Sequence, residues 1–288
     1  MRKITLSDHT ADKVRQAEQQ RDAENAARVA AYEKECAVKQ LSVDAARLRM
    51  KDAWRRRKVF AAIGLALRMQ WRAQFGWPSR PKIVTARTRD EQVWRAGNEG
   101  EADVVQFLDR QLDNEWTLIC GYKNARGEID QVLVGPCGLF AIEVKHVNGH
   151  IHISGDQWTA DKYDRYGNQV DVGKVIADKG GRSPSRQINK STDRLLEFLR
   201  KAMPGIECHR LVVLSHPRAA IASVSNPTAI PVVLSEWSLE KTILRVPTSL
   251  DSSGCNRVIE LLQRDHAFHK QRREHVRRPP PDRAAANA

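Results

Sequence analysis

Long apolar runs are missing from this 288-residue sequence. A membrane-spanning helix needs about 20 consecutive apolar residues. The nearest approach, Val59 to Leu67, is closed off by Lys58 and Arg68. No integral membrane segment is therefore expected. The start, Met1-Arg2-Lys3-Ile4-Thr5, runs into polar residues rather than an apolar stretch, so no secretory leader is expected either. Cysteine is sparse. Cys36, Cys120, Cys137, Cys208 and Cys255 are odd in number, scattered and without a Cys-x-x-Cys pair. That argues against a disulfide framework and a zinc ribbon, and for a reducing compartment, with the cytoplasm as the expected location. There is no Gly-x-x-x-x-Gly-Lys phosphate loop, which argues against an ATP-driven motor on this chain. There is no Gly-x-Ser-x-Gly elbow for serine hydrolysis.

Acidic residues are short at the two ends and not in the middle. Residues 1–96 hold 22 Lys and Arg against 11 Asp and Glu, and residues 263–288 hold 7 against 3. Residues 97–262 hold 19 against 21, which leaves the centre nearly neutral. Basic extensions on a neutral core suit contact with a phosphate backbone through counterion release.

Proline is absent before Pro78, and Asp8 to Ala73 contains a single glycine, Gly64. With Ala, Glu, Gln, Lys and Arg dominating, residues 1–80 read as a basic helical arm, capped at its start by Ser7 or Thr10. Its apolar positions do not sustain heptads. A long, largely solvated helix is expected, with coiled-coil pairing to another copy as its route to self-association. Trp54-Arg55-Arg56-Arg57-Lys58 offers stacking and phosphate contacts to a nucleic acid, although docking of these tryptophans on a core explains them as well. Residues 81–96 read as a linker.

Beyond the linker, two apolar runs carry ionisable residues. Ile129-Asp130-Gln131-Val132-Leu133-Val134 and Leu139-Phe140-Ala141-Ile142-Glu143-Val144-Lys145 flank Gly135-Pro136-Cys137-Gly138. Glycine and proline supply the backbone angles of a tight reversal, so the runs read as a hairpin. Pairing about that turn sets Asp130 beside Glu143 and Lys145. Charges inside apolar strands are costly unless paired or bound to a metal. Two readings satisfy them: a structural salt bridge from Lys145 to Asp130 or Glu143, or a metal-dependent phosphodiesterase site.

The flanks add Gly97, Gly100 and Glu101 on a helix start, Gly127 to Asp130, Gly135 to Phe140, Ile142 to Lys145, and Pro184 with Gln187. In this order and spacing they resemble the NERD (nuclease-related) domain of the PD-(D/E)XK superfamily, over roughly Gly97 to Leu244. The resemblance implies an α/β fold: a restriction-endonuclease-like core with a central mixed β-sheet flanked by helices, here preceded by the long helical arm. It implies a nuclease that hydrolyses phosphodiester bonds of DNA with Mg²⁺ or Mn²⁺. Asp130, Glu143 and Glu101 would be the metal ligands, and these three with Lys145 and Gln187 the catalytic set. Hard Mg²⁺ takes oxygen ligands and keeps several waters, so one or two carboxylates suffice. Arg182, Arg186 and Lys190 join Arg55, Arg56, Arg57 and Lys58 as expected nucleic-acid contacts. The alternative is a non-catalytic nucleic-acid or partner-binding module on the same fold.

The elements expected around this site are a first helix from Gly97 to Leu112, an edge strand from Trp116 to Tyr122, and a short strand near His150 to Ser154. A mobile loop over 163–184, a helix from Ser185 to Ala202 and a strand from His209 to Leu214 returning by that helical crossover complete the set. Domain limits are 97–245 for the nuclease-like domain, 246–270 for a C-terminal helix and 271–288 for a basic disordered tail. His146, His150 and His152 read as surface histidines rather than a metal site.

Overall fold

The structure, a computed structural model, describes residues 1–164, 166–225 and 232–277. Of the tail expected to be disordered over 271–288, residues 271–277 are helical, and the rest lies outside the described residues. The chain divides into two compact units, one formed by Lys13–Glu91 and the other by Met1–Asp12 with Gln92–Ala288.

The larger unit is built on a six-stranded sheet. Its strands are β1 (Arg2–Thr5), β2 (Thr117–Lys123), β3 (Glu128–Gly135), β4 (Gly138–Lys145), β8 (Cys208–Leu214) and β10 (Val232–Leu234), in the order β1-β2-β3-β4-β8-β10. The three central strands are antiparallel, while β1, β8 and β10 join in parallel, so the sheet is mixed. Both faces are covered, which is why its central strands read as near-continuous apolar runs. On one face Leu118, Leu133, Phe140, Ile142, Leu211 and Val213 pack with α3 (Arg89–Gln111) and α5 (Ser235–Leu244). On the other, Ile119, Val132, Leu139, Ala141 and Val212 pack with α4 (Pro184–Leu199) and α6 (Ser252–Arg277). A second sheet comprises β5 (Gly149–Ser154), β6 (Gln157–Tyr163), β7 (Gln169–Val175) and β9 (Ala219–Ser225). Its order is β7-β6-β5-β9, and it adds Ile151, Ile153, Trp158 and Ala160 to that second core. The chain is therefore α/β, with mixed sheets flanked by helices and a long helix, α1 (His9–Arg55), near its start.

Four local expectations are corrected. The first residues are not helical: Arg2–Thr5 forms β1 and pairs with Thr117–Cys120, so β2 is an inner strand and not an edge. Asp8, rather than Ser7 or Thr10, caps α1, accepting the Ala11 N–H at 3.0 Å. The first core helix opens at Arg89 instead of Gly97. There Thr88 and Glu91 form a capping box, each side chain accepting the other's backbone N–H, at 3.2 and 2.9 Å. The stretch 163–184 is not a plain loop, because Gln169–Val175 pairs with β6 as β7. The return of β8 parallel to β4 after α4 is as expected.

Gly100 owes its identity to packing. A Cβ there would lie 2.5 Å from Ser215 Oγ and 2.7 Å from His146 Cβ, so α3 approaches the ends of β4 and β8 only because no side chain intervenes. At Gly97 the nearest atom to such a Cβ is Thr10 Cγ2 at 3.8 Å, an ordinary contact. Gly100→Ala is expected to destabilise by about 2 kcal/mol through overpacking, whereas Gly97→Ala should be neutral or stabilising by up to about 1 kcal/mol. Urea melts of the two variants check the contrast.

The smaller unit is a helical hairpin with an extended strap. α1 ends at a turn in which Arg57 takes a positive φ of 55°, and α2 (Val59–Gln74) follows. The strap lies along α1: Asn25 exchanges two hydrogen bonds with the Val84 backbone at 3.0 Å each, and Arg28 donates to Lys82 O at 3.2 Å. The glycine-poor stretch is thus two helices in place of the expected single one. Among the described residues no helix is long and apolar enough to cross a membrane.

Candidate active site

The hairpin β3–β4 forks. Its ladder runs from Gly135↔Gly138 to Gln131↔Ile142 and stops there. Beyond that pair β3 continues against β2, through Ile129↔Tyr122 to Glu128↔Lys123, while β4 continues against β8 to Lys145↔Leu214. Asp130 and Glu143 are the first residues past the last rung, one on each branch. An opened ladder leaves backbone groups to satisfy. Asp130 answers this directly, its Oδ2 accepting the Val144 N–H at 2.8 Å.

The side chains in the fork form a linked set. Lys145 Nζ donates to Glu143 Oε1 at 2.5 Å and to Gln187 Oε1 at 3.1 Å. Gln187 in turn donates from Nε2 to Arg182 O at 2.7 Å, so both ends of its amide have assigned partners. Gln187 sits in the first turn of α4, which Ser183 caps and Pro184 opens. Glu101 comes from α3. Its Oε1 accepts from Thr10 at 3.4 Å, and its backbone carbonyl accepts from Gln131 Nε2 at 2.9 Å.

Carboxylates are crowded here. Glu143 is 3% exposed. Burial, and then the charge of Asp130, push its carboxyl up to about 7 despite Lys145. Burial and the charges of Asp130, Glu128 and Asp8 push Glu101 up to about 8. Asp130 is raised by burial, with Lys145 and the Val144 N–H opposing. Burial by itself would lower Lys145, but Glu143 and Asp130 together outweigh it and hold the ammonium charged. The site thus has a surplus of negative charge that one lysine does not neutralise. Oxygen-only donors that repel one another fit a hard divalent cation. Among the described residues no group of three or more His, Cys, Asp or Glu stands gathered as a ligand cluster, so the expected set of Asp130, Glu143 and Glu101 is not assembled as one.

These raised carboxyls make stability depend on pH. A carboxyl with a raised folded pKa binds more protons folded than unfolded between the two values. Its contribution is present below the unfolded pKa and lost as pH rises through the folded one. For Glu101 and Glu143 that window runs from about 4.5 to about 8. The metal-free protein should therefore lose stability across it. Glu143→Gln should flatten the fall by on the order of 3 kcal/mol, roughly 8 °C in Tm. Added Mg²⁺ should raise Tm more at pH 8 than at pH 5. Thermal melts of wild type, Glu101→Gln and Glu143→Gln against pH give the comparison.

Sequence reasoning missed three members of this electrostatic set. Glu128 stands inside the Gly127 to Asp130 motif, where it pairs with Lys123 at 3.3 Å and accepts from Ser7 at 3.2 Å. Asp8 reads as part of the arm, and no local pattern connects it to α3. Asp178 adds to the field that keeps Lys145 charged. The expected nucleic-acid contacts divide between the units. Arg182 and Arg186 already hold acidic partners, Asp178 at 2.5 Å and Asp156 at 3.1 Å, and Lys190 is exposed on α4. Arg55, Arg56, Arg57 and Lys58 are exposed at the hairpin turn of the smaller unit, and Arg56 pairs with Asp52 at 3.0 Å.

A mixed sheet whose two central strands part around Asp, Glu and Lys, with helices on both faces, defines an α/β domain. In keeping with this, residues 96–215 match the family model of the nuclease-related domain, NERD, and a PD-(D/E)XK placement is consistent with that match. The stretch carries every residue of the forked site, from Glu101 through Gln187. Neither a curated protein nor a solved structure matches the chain.

Proposed function

We propose that the domain is a metal-dependent nuclease that hydrolyses phosphodiester bonds of DNA. The observation that carries this reading is the fork: half-buried Asp130 and buried Glu143, both raised by burial and Glu143 further by the charge of Asp130, beside a lysine fixed by Glu143 and Gln187. A purely structural ion pair would need one carboxylate for one lysine. The excess acid is explained if a divalent cation completes the charge balance. Asp130 and Glu143, with Glu101, would hold Mg²⁺ or Mn²⁺. When bound, such an ion supplies Lewis-acid polarisation of the phosphate and of the attacking water.

The remaining roles fall to the chain itself. Lys145, charged and held at Nζ by two acceptors, is placed to offset negative charge that grows on the phosphoryl oxygens. Gln187 orients Lys145 and ties it to the α4 start through Arg182 O. Glu101, its carboxyl raised to about 8 in the metal-free protein, would give up that proton when it joins the ion's donors. Exposed Lys190, and Arg186 once exchanged from Asp156, are the phosphate contacts nearest this helix. The five cysteines are free thiols, which suits a reducing, cytoplasmic setting.

The test is cleavage of supercoiled plasmid, linear duplex and single-stranded DNA with Mg²⁺, with Mn²⁺ and with chelator. Metal-dependent products that disappear on chelation support the reading. Binding of the same substrates without turnover under every condition would leave the fold as a non-catalytic nucleic-acid module.

A further inference from the structure

The smaller unit carries a surface that the nuclease reading does not use. α2 is apolar on two opposite sides. Its inner side holds Ala62, which is buried, with Leu65, Ala66 and Met69 half-buried. Its outer side holds Phe60, Ile63, Leu67 and Trp71, at successive spacings of three, four and four residues, which places them on one helical stripe. These side chains are 92%, 49%, 63% and 65% exposed. Phe75, four residues past Trp71, continues the spacing, and Trp54 and Trp77, also exposed, flank α2 in the sequence.

The sequence that carries this stripe has charge of one sign, although Arg56 pairs with Asp52 just before it. From Trp54 to Arg89 the sequence has ten Lys and Arg and no Asp or Glu. Four of the ten, Arg55 to Lys58, stand together just before α2, and Arg68 and Arg72 edge the stripe. An exposed apolar face rimmed by cations has a specific complement: a surface that is anionic outside and apolar immediately beneath.

We propose that the outer face of α2 lies in the headgroup region of an anionic lipid bilayer, with Phe60, Ile63, Leu67 and Trp71 inserted and Arg55–Lys58, Arg68 and Arg72 on the lipid phosphates. A nucleic acid would engage the arginines and stack on Trp71, but it would leave Phe60, Ile63 and Leu67 facing water. A second copy of the chain would cover the apolar stripe only by setting Arg55–Lys58, Arg68 and Arg72 against their own copies. A spanning helix is excluded by length: sixteen residues at 1.5 Å per residue reach about 24 Å, short of the ~30 Å hydrocarbon core. Helices that lie in the interface rather than cross it have this composition, Trp, Phe and Leu on one face with basic residues beside them. The inference stands on the smaller unit alone and does not require the nuclease site.

The experiment is flotation of the full-length protein with vesicles of phosphatidylcholine alone, or with about a third phosphatidylglycerol as the anionic component. Tryptophan emission and its quenching by brominated acyl chains report insertion. Wild type should partition at least tenfold more strongly onto the anionic vesicles, with a blue shift, and less so as salt is raised. Phe60→Glu/Leu67→Glu, two changes on exposed positions, should lower partitioning tenfold or more while leaving plasmid cleavage unchanged. Arg55→Gln/Arg56→Gln/Arg57→Gln/Lys58→Gln should lower it similarly and remove most of the salt dependence. Three results would overturn the proposal. One is no vesicle binding by wild type, or equal binding by Phe60→Glu/Leu67→Glu. Another is single-stranded DNA binding that the apolar double variant loses in the absence of any lipid binding. The third is a lipid-free dimer that the double variant dissolves.

Discussion

Asp130→Asn and Glu143→Gln should each reduce metal-dependent cleavage by about a thousandfold or more, equivalent to some 4 kcal/mol of transition-state stabilisation. Amide replacements are chosen because they separate charge from structure. The amide of Asp130→Asn keeps an oxygen to accept the Val144 N–H, the bond that satisfies the opened ladder. The amide of Glu143→Gln keeps an oxygen for Lys145 Nζ. What each variant loses is a negative charge, and with it the attraction for a divalent cation. Their stability should move in the opposite direction from their activity. In the metal-free protein burial raises both carboxyls, and the charge of Asp130 raises Glu143 further. Removing one charge relieves the other, so the metal-free Tm should be unchanged or higher at pH 8, and the gain in Tm on adding Mg²⁺ should shrink. Plasmid nicking and thermal melts on the same preparations supply both readouts. Retained cleavage would remove these carboxylates from the mechanism. A large loss of stability in both variants, in place of the expected gain, would return Lys145 and its partners to a structural salt bridge.

How much of this is readable from residues follows from what kind of contact sets each part. The hairpin and the approach of Asp130 to Glu143 follow from local pattern: two apolar runs, a Gly-Pro-Cys-Gly reversal and the register it imposes. The crossover to β8 is equally legible, since Ser183, Pro184 and the apolar spacing of Ile188, Leu195, Leu196 and Leu199 define a capped amphipathic helix between two strands. What local pattern does not contain is long-range pairing. Arg2–Thr5 is four residues with no alternation to mark it, and it becomes a strand only by lying beside Thr117–Cys120. That contact carries Ser7, Asp8 and Thr10 toward Glu128 and Glu101. β7 escapes a sequence reading for a related reason. Gln169–Val175 is mostly exposed, Val170, Val172 and Val175 included, so no buried face fixes its register, and only its pairing with β6 makes it a strand. The stop of the ladder at Gln131↔Ile142 is likewise invisible in sequence, because it depends on β2 and β8 drawing the two strands apart.

Lys145→Met should lower turnover by a hundredfold to about a thousandfold with little change in affinity for DNA. The methionine keeps much of the lysine stem and removes only the ammonium. If that charge acts on the phosphoryl group as it becomes more negative, it contributes to the transition state and hardly to the ground state, so kcat should fall and KM should hold. Binding measured with an uncleavable duplex should be near that of wild type. The variant carries a second signature, which distinguishes a lysine that serves the carboxylates from one that serves the substrate. Without Nζ, Glu143 is left 3% exposed beside Asp130 with no ammonium between them. Removing one partner of a buried pair costs about 3 kcal/mol or more, so the metal-free variant should be less stable than wild type at pH 8. The deficit must close as pH falls toward 5, because a proton on Glu143 then does what the ammonium did. Mg²⁺ should also close it at pH 8 without restoring turnover. Full turnover in Lys145→Met would take the lysine out of the chemistry, and restoration of both stability and turnover by Mg²⁺ would limit it to holding the carboxylates until the ion arrives.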